Sequence, residues 1–378
     1  MTNFADVALK KHKELKGKIS VSLKDELDSQ DKLSTYYTPG VAAVSSYVAK
    51  NPGQTRDYTW LNNSVAVVSD GSAVLGLGDI GPYGALPVME GKAMLFKHFA
   101  NIDAVPIILD VHSVEEIIKT VKAIAPSFGG INLEDIAAPQ CFEIEETLKK
   151  ELGIPVFHDD QHGTAIVVLA GLINAVKITN RNLSKSRIVV VGAGAAGTAI
   201  IKLLNKYATP EILAVDSKGI VSADRQDLNP EKVKLLEFTN PNGVTGTLDD
   251  ALKGADIFIG VSKGGLLDED AVKSMTKDPI IFAMANPTPE IMPNLAKSAG
   301  AAIVATGRSD FPNQVNNALA FPGIFRGALD NHVTKITDDH KVSAAKVIAS
   351  LVENPTVDEI IPSVLDDRLV SEIAKVIQ

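Results

Sequence analysis

The sequence predicts an α/β fold, in which an N-terminal α/β domain is followed by a doubly wound domain with helices on both faces of a parallel sheet. Two observations lead to this prediction. Short apolar runs of strand length alternate with helical patterns along most of the chain, which is typical of consecutive βα units. A glycine-rich turn also joins a strand pattern to a helix pattern in the second half. The length of 378 residues agrees with two domains, which we place at residues 1–162 and 163–378.

The composition excludes several classes of protein. Apolar residues make up 45% of the chain, and the net charge of −9 argues against binding nucleic acid or an anionic membrane by bulk charge. The N-terminus is charged and lacks the apolar core of a signal peptide, and the longest apolar run, residues 165–176, is too short to span a bilayer. The single cysteine, Cys141, fits a reducing compartment, so we expect a cytoplasmic protein with neither nucleic acid nor membrane as a partner.

The first half begins with a mixture of helical and strand patterns. Predicted elements there are helices at residues 3–16, 89–99 and 114–123, a hairpin of strands at 65–69 and 74–78, and a strand at 105–109. Pro39 and Gly40 break regular structure, so Tyr36 and Tyr37 are expected in a loop, where a tyrosine is usually a packing residue. Lys92 follows a glycine-rich stretch, although a lysine on a helix is ordinarily solvated.

Two pairs of adjacent acids follow short apolar runs near the middle of the chain. Glu134 and Asp135 form the first pair, and Asp159 and Asp160 form the second after a strand at 154–157. Acids at strand ends in an α/β protein point into the crevice where ligands bind. Converging carboxylates would repel one another without a cation, and hard oxygen ligands suit Mg²⁺ or Mn²⁺. The alternative is that these acids only cap helices.

The glycine-rich turn of the second half carries a stronger signal. A strand at residues 187–191 leads into Gly192-Ala193-Gly194-Ala195-Ala196-Gly197, and a helix follows at 198–207. A second strand ends at Asp216, close to the acid expected about 20 residues after the glycines of a Rossmann-type dinucleotide site. We therefore predict a dinucleotide with its pyrophosphate at the helix N-terminus.

Later βα units place further turns at strand ends. Strands are predicted at residues 256–260, 280–283 and 302–305, each followed by a polar or glycine-rich turn. Asn286 lies in the second of these turns, and Asn316 and Asn317 begin a late helix. Amphipathic helices are predicted near residues 339–352 and 366–378.

Together these motifs resemble the malic enzymes, in the short bacterial form. The matching segments are YTPGV at 37–41, LGLGDIG at 75–81, PVMEGK at 87–92, INLED at 131–135, FHDDQHGT at 157–164, GAGAAG at 192–197, NPT at 286–288, GRSD at 307–310 and QVNN at 314–317. The resemblance covers nearly the whole chain. It implies oxidative decarboxylation of L-malate to pyruvate and CO₂ with NAD or NADP, dependence on Mn²⁺ or Mg²⁺, decarboxylation of oxaloacetate as well, and a homodimer.

Carried over by position, the resemblance also implies a role for each candidate residue. Tyr37 is expected to be the proton donor, with Tyr36 as its fallback, and Lys92 the general base, supported by Asp159. The expected metal ligands are Glu134, Asp135 and Asp160. Asn286, with Asn316 or Asn317, is expected to bind the substrate carboxylate, and the cofactor is expected to contact Gly192 to Gly197, Asp216 and Asn286. A nearby dication and partial burial are expected to lower the pKa of Lys92 and so allow it to act as a base.

Two departures from the family pattern affect the substrate site. Large forms of the enzyme have an arginine that binds a malate carboxylate, and the corresponding residues here are Ser72 and Ala73. Short forms usually have a lysine at the position occupied here by Leu86. Two alternatives remain at this point: another nicotinamide dehydrogenase, and an inactive dinucleotide-sensing protein. Asp216 would repel a 2′-phosphate, whereas Lys218 could contact it, so NAD is predicted as the preferred cofactor with some use of NADP.

Overall fold

We describe the chain from a computed structural model that covers residues 4–74 and 77–378. These residues form two separate sheets flanked by helices, and the predicted α/β class is confirmed. The first sheet is entirely parallel and has the strand order β2-β1-β3-β4. Its strands are β1 (Ser64–Ser69), β2 (Asp103–Ile108), β3 (Gly130–Leu133) and β4 (Val156–His158).

The second sheet has the strand order β10-β9-β8-β5-β6-β7. Its strands are β5 (Arg187–Val191), β6 (Glu211–Asp216), β7 (Gly219–Ile220), β8 (Ile257–Gly260), β9 (Ile280–Ala283) and β10 (Ile303–Thr306). All neighbours are parallel except β7, which is a short antiparallel edge strand on β6. The order reverses between β5 and β8, and this switch point is where doubly wound sheets bind dinucleotides.

Helices connect and cover the strands in both halves. In the first half they are α1 (Phe4–Leu15), α2 (Gln30–Tyr36), α3 (Val41–Lys50), α4 (Thr55–Tyr58), α5 (Gly81–Ala100), α6 (Val114–Ile124), α7 (Gln140–Glu151) and α8 (Asp159–Ile178). In the second half they are α9 (Ala195–Ala208), α10 (Pro230–Leu235), α11 (Leu248–Leu252), α12 (Glu269–Ser274), α13 (Pro293–Ser298), α14 (Phe321–Asp330), α15 (Asp338–Ser350) and α16 (Arg368–Ala374).

Three apolar clusters form the core. One lies on the outer face of the first sheet and includes Ile131 and Ile144, and another lies on the outer face of the second sheet and includes Val189 and Phe258. The third and largest cluster joins side chains of both halves. Phe96 of α5 meets Phe321 and Phe325 of α14 there, with ring centroids 4.7 and 5.3 Å apart, so a helix from the C-terminal half packs on the N-terminal sheet.

Helix α8 runs through the centre of this shared cluster. The predicted boundary between residues 162 and 163 falls inside it, because Asp159–Ile178 is one continuous helix. Its Asn174 is fully buried and donates to the carbonyl oxygens of Ala349 and Ile360, which secures the helix to the C-terminal segments. By length and composition α8 could cross a bilayer, but 72% of its most apolar window is buried inside the protein, as expected of a core helix.

The predicted hairpin at residues 65–69 and 74–78 is wrong. Strand β1 lies between β2 and β3 and pairs with both in parallel, so its edges are already occupied. After the turn at Gly71, which adopts a φ of 75°, Val74 makes only an isolated bridge with Gly78. Leu75 and Gly76, which the hairpin also required, lie outside the described residues.

Several helices have boundaries that differ from those the sequence suggested. Helix α5 begins at Gly81 rather than Met89, because Pro82 lies in its first turn, where a missing N–H costs nothing. Helix α2 includes Tyr36 and ends there, so only Tyr37 lies in the expected loop. The late helix α14 begins at Phe321, after a short 3₁₀ turn at Asn317–Leu319.

Residues 4–63, which we call the N-terminal arm, differ from the rest of the described chain. They comprise α1 to α4 and short connections, and none of them is buried. Several contacts hold the arm to the body. Trp60 packs on Phe128, Arg56 donates to the Leu329 carbonyl, and further hydrogen bonds involve Lys18 and Asn63. The Lys18 N–H donates to Glu90 over 3.1 Å, the Lys18 ammonium donates to the Pro87 carbonyl over 2.7 Å, and Arg326 donates to Asn63 over 2.7 Å.

Candidate active site

The acids at the ends of β3 and β4 converge on one point. Oxygen atoms of Glu134, Asp135 and Asp160 all lie within 4.8 Å of one another. The backbone N–H of Asp135 donates to the Asp160 carboxylate over 2.7 Å, and Asp135 itself adopts a left-handed φ of 54°. No side chain caps the N-terminus of α8, so its two acids do not act as conventional N-caps. This arrangement offers carboxylate oxygens to a divalent cation.

Lys92 lies directly beside this cluster on α5 and is 8% exposed. Its ammonium contacts Asp159 at 2.6 Å and Glu134 at 2.8 Å and lies 4.2 Å from the centre of the Phe321 ring. Burial disfavours the charged form, but the attraction of Asp159 and Glu134 outweighs it and raises the pKa of Lys92 above its ordinary value. The lowered pKa expected from the sequence depends on a dication beside Lys92 and stays a prediction.

Negative charge in the cluster exceeds what Lys92 can balance. Glu134, Asp135, Asp159 and Asp160 contribute four carboxyl groups against one ammonium. Burial raises the pKa of Glu134 well above its ordinary value despite Lys92, and repulsion from Asp160, Asp159 and Asp135 adds to the effect. Oxygen donors with surplus negative charge fit Mg²⁺ or Mn²⁺, so the residues present match the metal that the sequence implied.

Sequence reasoning missed three residues that orient these acids. Asn132, fully buried on β3, donates to the second oxygen of Glu134 over 2.8 Å. Glu145 on α7 accepts from the His158 N–H over 3.0 Å and contacts His162 at 2.8 Å, so it fixes the start of α8. Ser72 accepts from the Ala137 N–H over 2.9 Å and braces the loop that carries Asp135. The alternation of polar and apolar residues in β3 was the one signal that could have indicated Asn132.

A cleft of about 650 Å³ opens in front of Lys92. Asn316 and Asn317 line it together with Glu134 and Asp160, so the structure brings both candidate asparagines to the carboxylates. The Asn316 side-chain oxygen already accepts from the Ala318 N–H over 2.8 Å, whereas the Asn317 amide makes no hydrogen bond with any described residue.

Asn286 and the two candidate tyrosines do not line this cleft within one chain. Asn286 is exposed at the end of β9 and lies next to Gly307 instead. Tyr37 is 68% exposed on the N-terminal arm, and its hydroxyl makes no hydrogen bond with any described residue. Tyr36, the fallback donor, is 55% exposed and donates to Asp25 over 2.6 Å. The lone chain therefore brings neither tyrosine to Lys92.

The glycine-rich turn lies at the switch point of the second sheet. Gly192 adopts a φ of 109°, and a Cβ there would lie 2.7 Å from the Val261 carbonyl oxygen at the end of β8. A Cβ on Gly197 would lie 1.8 Å from the Gly192 carbonyl oxygen, so helix α9 can approach the turn only without a side chain. Gly194 has open space in front of it, as a pyrophosphate would require.

These two environments predict different outcomes for alanine at Gly197 and at Gly194. Gly197→Ala should lower the free energy of unfolding by about 1–3 kcal/mol, because the new methyl group collides with backbone. Gly194→Ala should leave unfolding unchanged and weaken dinucleotide binding. Chemical denaturation of the two variants without ligand, followed by calorimetric titration with NAD⁺, measures both quantities. Wild-type stability of Gly197→Ala would contradict the close approach.

Asp216 ends β6 in the expected position but is not isolated. Arg225 donates to both of its oxygens, at 2.8 and 3.1 Å, and Lys232 donates over 2.5 Å. Although burial opposes ionisation, these contacts lower the pKa of Asp216 to about 2. Arg225 also binds Asp227, so its charge is shared between two carboxylates. No sequence motif indicates that Lys232 reaches this acid.

Comparison with known proteins now decides the family. Residues 16–149 match the family described as "Malic enzyme, N-terminal domain", and residues 161–377 match "Malic enzyme, NAD binding domain". The chain belongs to the malic enzyme family. The bifunctional malic/malolactic enzyme of Bacillus subtilis is 54% identical over 98% of this chain and 91% of its own length. The NAD-dependent malic enzyme of Geobacillus stearothermophilus is 54% identical over 96% of this chain and 76% of its own length.

Solved structures agree with this assignment. The crystal structure of an NAD-dependent malic enzyme from Thermotoga maritima matches with a TM-score of 0.95 and 52% identity over 98% of both chains. Malic enzymes are oxidoreductases that oxidise and decarboxylate malate with NAD or NADP, and this chain is one of them. The resemblance inferred from the sequence motifs and the Rossmann-type second domain are both confirmed.

Proposed function

We propose that this malic enzyme uses a divalent cation held by Glu134, Asp135 and Asp160 and that Lys92 exchanges the substrate proton beside it. The convergence of the three acids next to a buried lysine is the observation that supports this proposal. The cation would be Mn²⁺ or Mg²⁺. When bound, it would polarise the oxygen atoms of the hydroxy acid, stabilise negative charge during loss of CO₂ and offset the Glu134 charge that raises the pKa of Lys92.

Lys92 would act as the general base for the C2 hydroxyl proton. Its ammonium must first lose a proton, and Asp159, at 2.6 Å, is placed to hold that proton or to keep the nitrogen oriented. The C2 hydride goes to the nicotinamide of the dinucleotide. Phe321 closes one side of the ammonium and keeps water from it, since the ring lies 4.2 Å away. Tyr37 would then protonate the enol carbon to give pyruvate.

Amide groups would hold the substrate carboxylate in place of an arginine. Either residue of the pair Asn316 and Asn317 would donate through its NH2 group, because the contact of Asn316 with Ala318 engages only its oxygen. Asn286 follows the end of β9, near the proposed dinucleotide site. Its amide would donate a hydrogen bond either to the cofactor or to the substrate carboxylate. A β-keto acid presents the same two carboxylates as malate, so the site should also decarboxylate oxaloacetate.

The remaining proposals concern the cofactor, the assembly and the location. The turn from Gly192 to Gly197 would bind the pyrophosphate, and Asp216 the adenosine ribose. We infer a homodimer in the cytoplasm, without nucleic acid or membrane partners. Residues 1–162 and 163–378 would be its two domains, with α8 as their common element.

A coupled assay tests the proposed reaction. Incubation with L-malate, NAD⁺ and Mn²⁺ should yield reduced cofactor and pyruvate in equal amounts, and chelation of the cation should stop both. Lactate should be measured as well, because one relative is named a bifunctional malic/malolactic enzyme. Turnover that persists after complete chelation would contradict the metal proposal.

We expect NAD to be preferred over NADP and Asp216→Asn to narrow that preference. In the wild-type protein Asp216 both repels a 2′-phosphate and occupies Arg225 and Lys232. Removing its charge frees these cations, so the ratio of kcat/KM for NADP to that for NAD should rise about tenfold, or about 1.4 kcal/mol. Asp224→Asn is the matched control because Asp224 is exposed and its carboxylate holds neither cation. A tenfold preference of the wild type for NADP would overturn the expectation and direct attention to Lys218.

A further inference from the structure

Tyr37 and Lys92 present a contradiction that a single chain does not resolve. The proposed reaction needs a proton donor at the Lys92 cleft, and Tyr37 is the donor by position in the family motif. Yet Tyr37 is 68% exposed, and it is absent from the walls of the cleft that contain Lys92, Glu134 and Asp160. The donor must therefore meet a cleft other than the one shown by its own chain.

The N-terminal arm that carries Tyr37 has the character of an interface rather than of a free surface. No residue from 4 to 63 is buried, although the arm is rich in large apolar side chains. So many large apolar side chains exposed along one segment favour a contact surface. Exposed apolar residues of the first part of the arm are Phe4, Leu9, Leu15, Val21, Leu23 and Leu27.

The helix that carries Lys92 is uncovered as well. Tyr83 in the first turn of α5 is 91% exposed, and Leu86 and Met94 are each at least 40% exposed. Pro87, Val88 and other apolar side chains of α5 line the mouth of the Lys92 cleft. An apolar surface thus surrounds the entrance to the site, and α1 together with Lys18 is the part of the arm of the same chain that lines it.

The arm is fixed to its own chain at two points. Lys18 is bound to Glu90 and Pro87, and Asn63 is bound to Asp103 and Arg326. The segment with Tyr37 lies between these two anchors, and its tyrosine is exposed. The anchors limit movement of the arm toward the cleft of its own chain.

We propose that the active site is composite and that the partner subunit's Tyr37 completes the cleft formed by Lys92, Glu134 and Asp160. A second copy is the one partner that offers both an equivalent arm and a Lys92 cleft. A two-fold axis would let each chain give its tyrosine and receive the other, while covering the arm and the exposed face of α5 together. This inference rests on the proposed role of Tyr37.

Heterodimers of two inactive variants test the inference. Tyr37→Phe and Lys92→Ala chains carry different affinity tags, are produced together, and the mixed dimer is purified through both tags in turn. In a composite arrangement one of its two sites combines the intact Tyr37 of one chain with the intact Lys92 of the other. The mixed dimer should then have about half the wild-type kcat per dimer, while both parent homodimers remain inactive.

A reciprocal heterodimer provides the matched control. Wild-type chain paired with the Tyr37→Phe, Lys92→Ala double variant should be inactive, because each composite site then contains one defect. Sites formed within one chain give the opposite result in both experiments: no activity for the two single variants together, and about half for wild type with the double variant. That opposite result, or full activity of a monomer, overturns the inference.

The same experiments separate this inference from the proposed function. Wild-type activity of the Tyr37→Phe homodimer removes the proposed role of Tyr37, and the inference falls with it. Inactive single variants that fail to complement overturn the composite site alone. If Lys92→Ala does not fold, because Asp159 and Glu134 lose their cation, Lys92→Arg keeps a charge there and takes its place.

Discussion

Replacing Asp135 by asparagine is expected to lower Mn²⁺-dependent kcat/KM for malate by about 100-fold or more, since loss of a metal ligand should exceed the 10–100-fold typical of an outer-shell partner. Asparagine is chosen because Asp135 has a left-handed φ of 54°, a conformation that asparagine tolerates and alanine does not. Dinucleotide binding should persist, because the glycine turn lies in the other sheet.

Calorimetric titration with Mn²⁺ and with NAD⁺ separates the two effects. The expected outcome is a loss of Mn²⁺ affinity with unchanged NAD⁺ affinity. Asp270→Asn is the control, since Asp270 is an exposed surface acid on α12 and removes the same charge far from the cleft. Near-normal Mn²⁺-dependent turnover of the Asp135 variant would reject the metal assignment.

Lys92→Ala and Tyr37→Phe are each expected to reduce malate oxidation by about 10² to 10⁴-fold, the range typical of general acid–base groups. Their defects should differ in partial reactions. Lys92→Ala should fail at hydride transfer, because the C2 hydroxyl proton has no acceptor. Tyr37→Phe should be selectively poor at converting enolpyruvate to pyruvate, because the enol carbon has no donor. Single-turnover formation of reduced cofactor and the rate of enolpyruvate tautomerisation measure these steps separately.

Tyr36→Phe is the control for the tyrosine variant. The Tyr36 hydroxyl donates to Asp25 on the same arm, so its loss should leave both partial reactions near normal. Equal defects in both steps for Lys92→Ala and Tyr37→Phe would show that the roles are not divided in this way. An inactive Tyr36→Phe beside an active Tyr37→Phe would move the donor to Tyr36.

Local signals in the sequence were sufficient for the dinucleotide turn and the carboxylate cluster. The fingerprint from Gly192 to Gly197 is recognised from the strand before it and the helix after it, and two of its glycines, Gly192 and Gly197, have a steric reason to lack a side chain. The acids were predicted together because carboxyl ends of neighbouring parallel strands share one edge of a sheet. Both inferences require only that the adjacent segments be recognised as strand or helix. They do not require knowledge of which distant segments those elements contact.

What local signals did not show has the opposite property, because it depends on contacts between separate parts of the chain. The predicted hairpin at 65–69 and 74–78 is wrong because β1 pairs with strands about 40 and 65 residues further along the chain. Residues that favour a turn do not indicate such long-range pairing. The pKa of Lys92 depends on Asp159, 67 residues away, and the state of Asp216 depends on Arg225 and Lys232. Tyr37 was identified by motif, but its surroundings could not be predicted from one chain.

Helix α8 has a thermodynamic consequence for the whole chain. Its first turn carries Asp159 and Asp160, and its body lies in the apolar cluster that contains Phe96 of one half and Ile188 of the other. Unfolding of either half would strip one wall from that cluster and expose apolar surface on the half that remains. We therefore expect the two sheets with their helices to unfold together rather than separately, so that heat or denaturant should act on both halves in one transition.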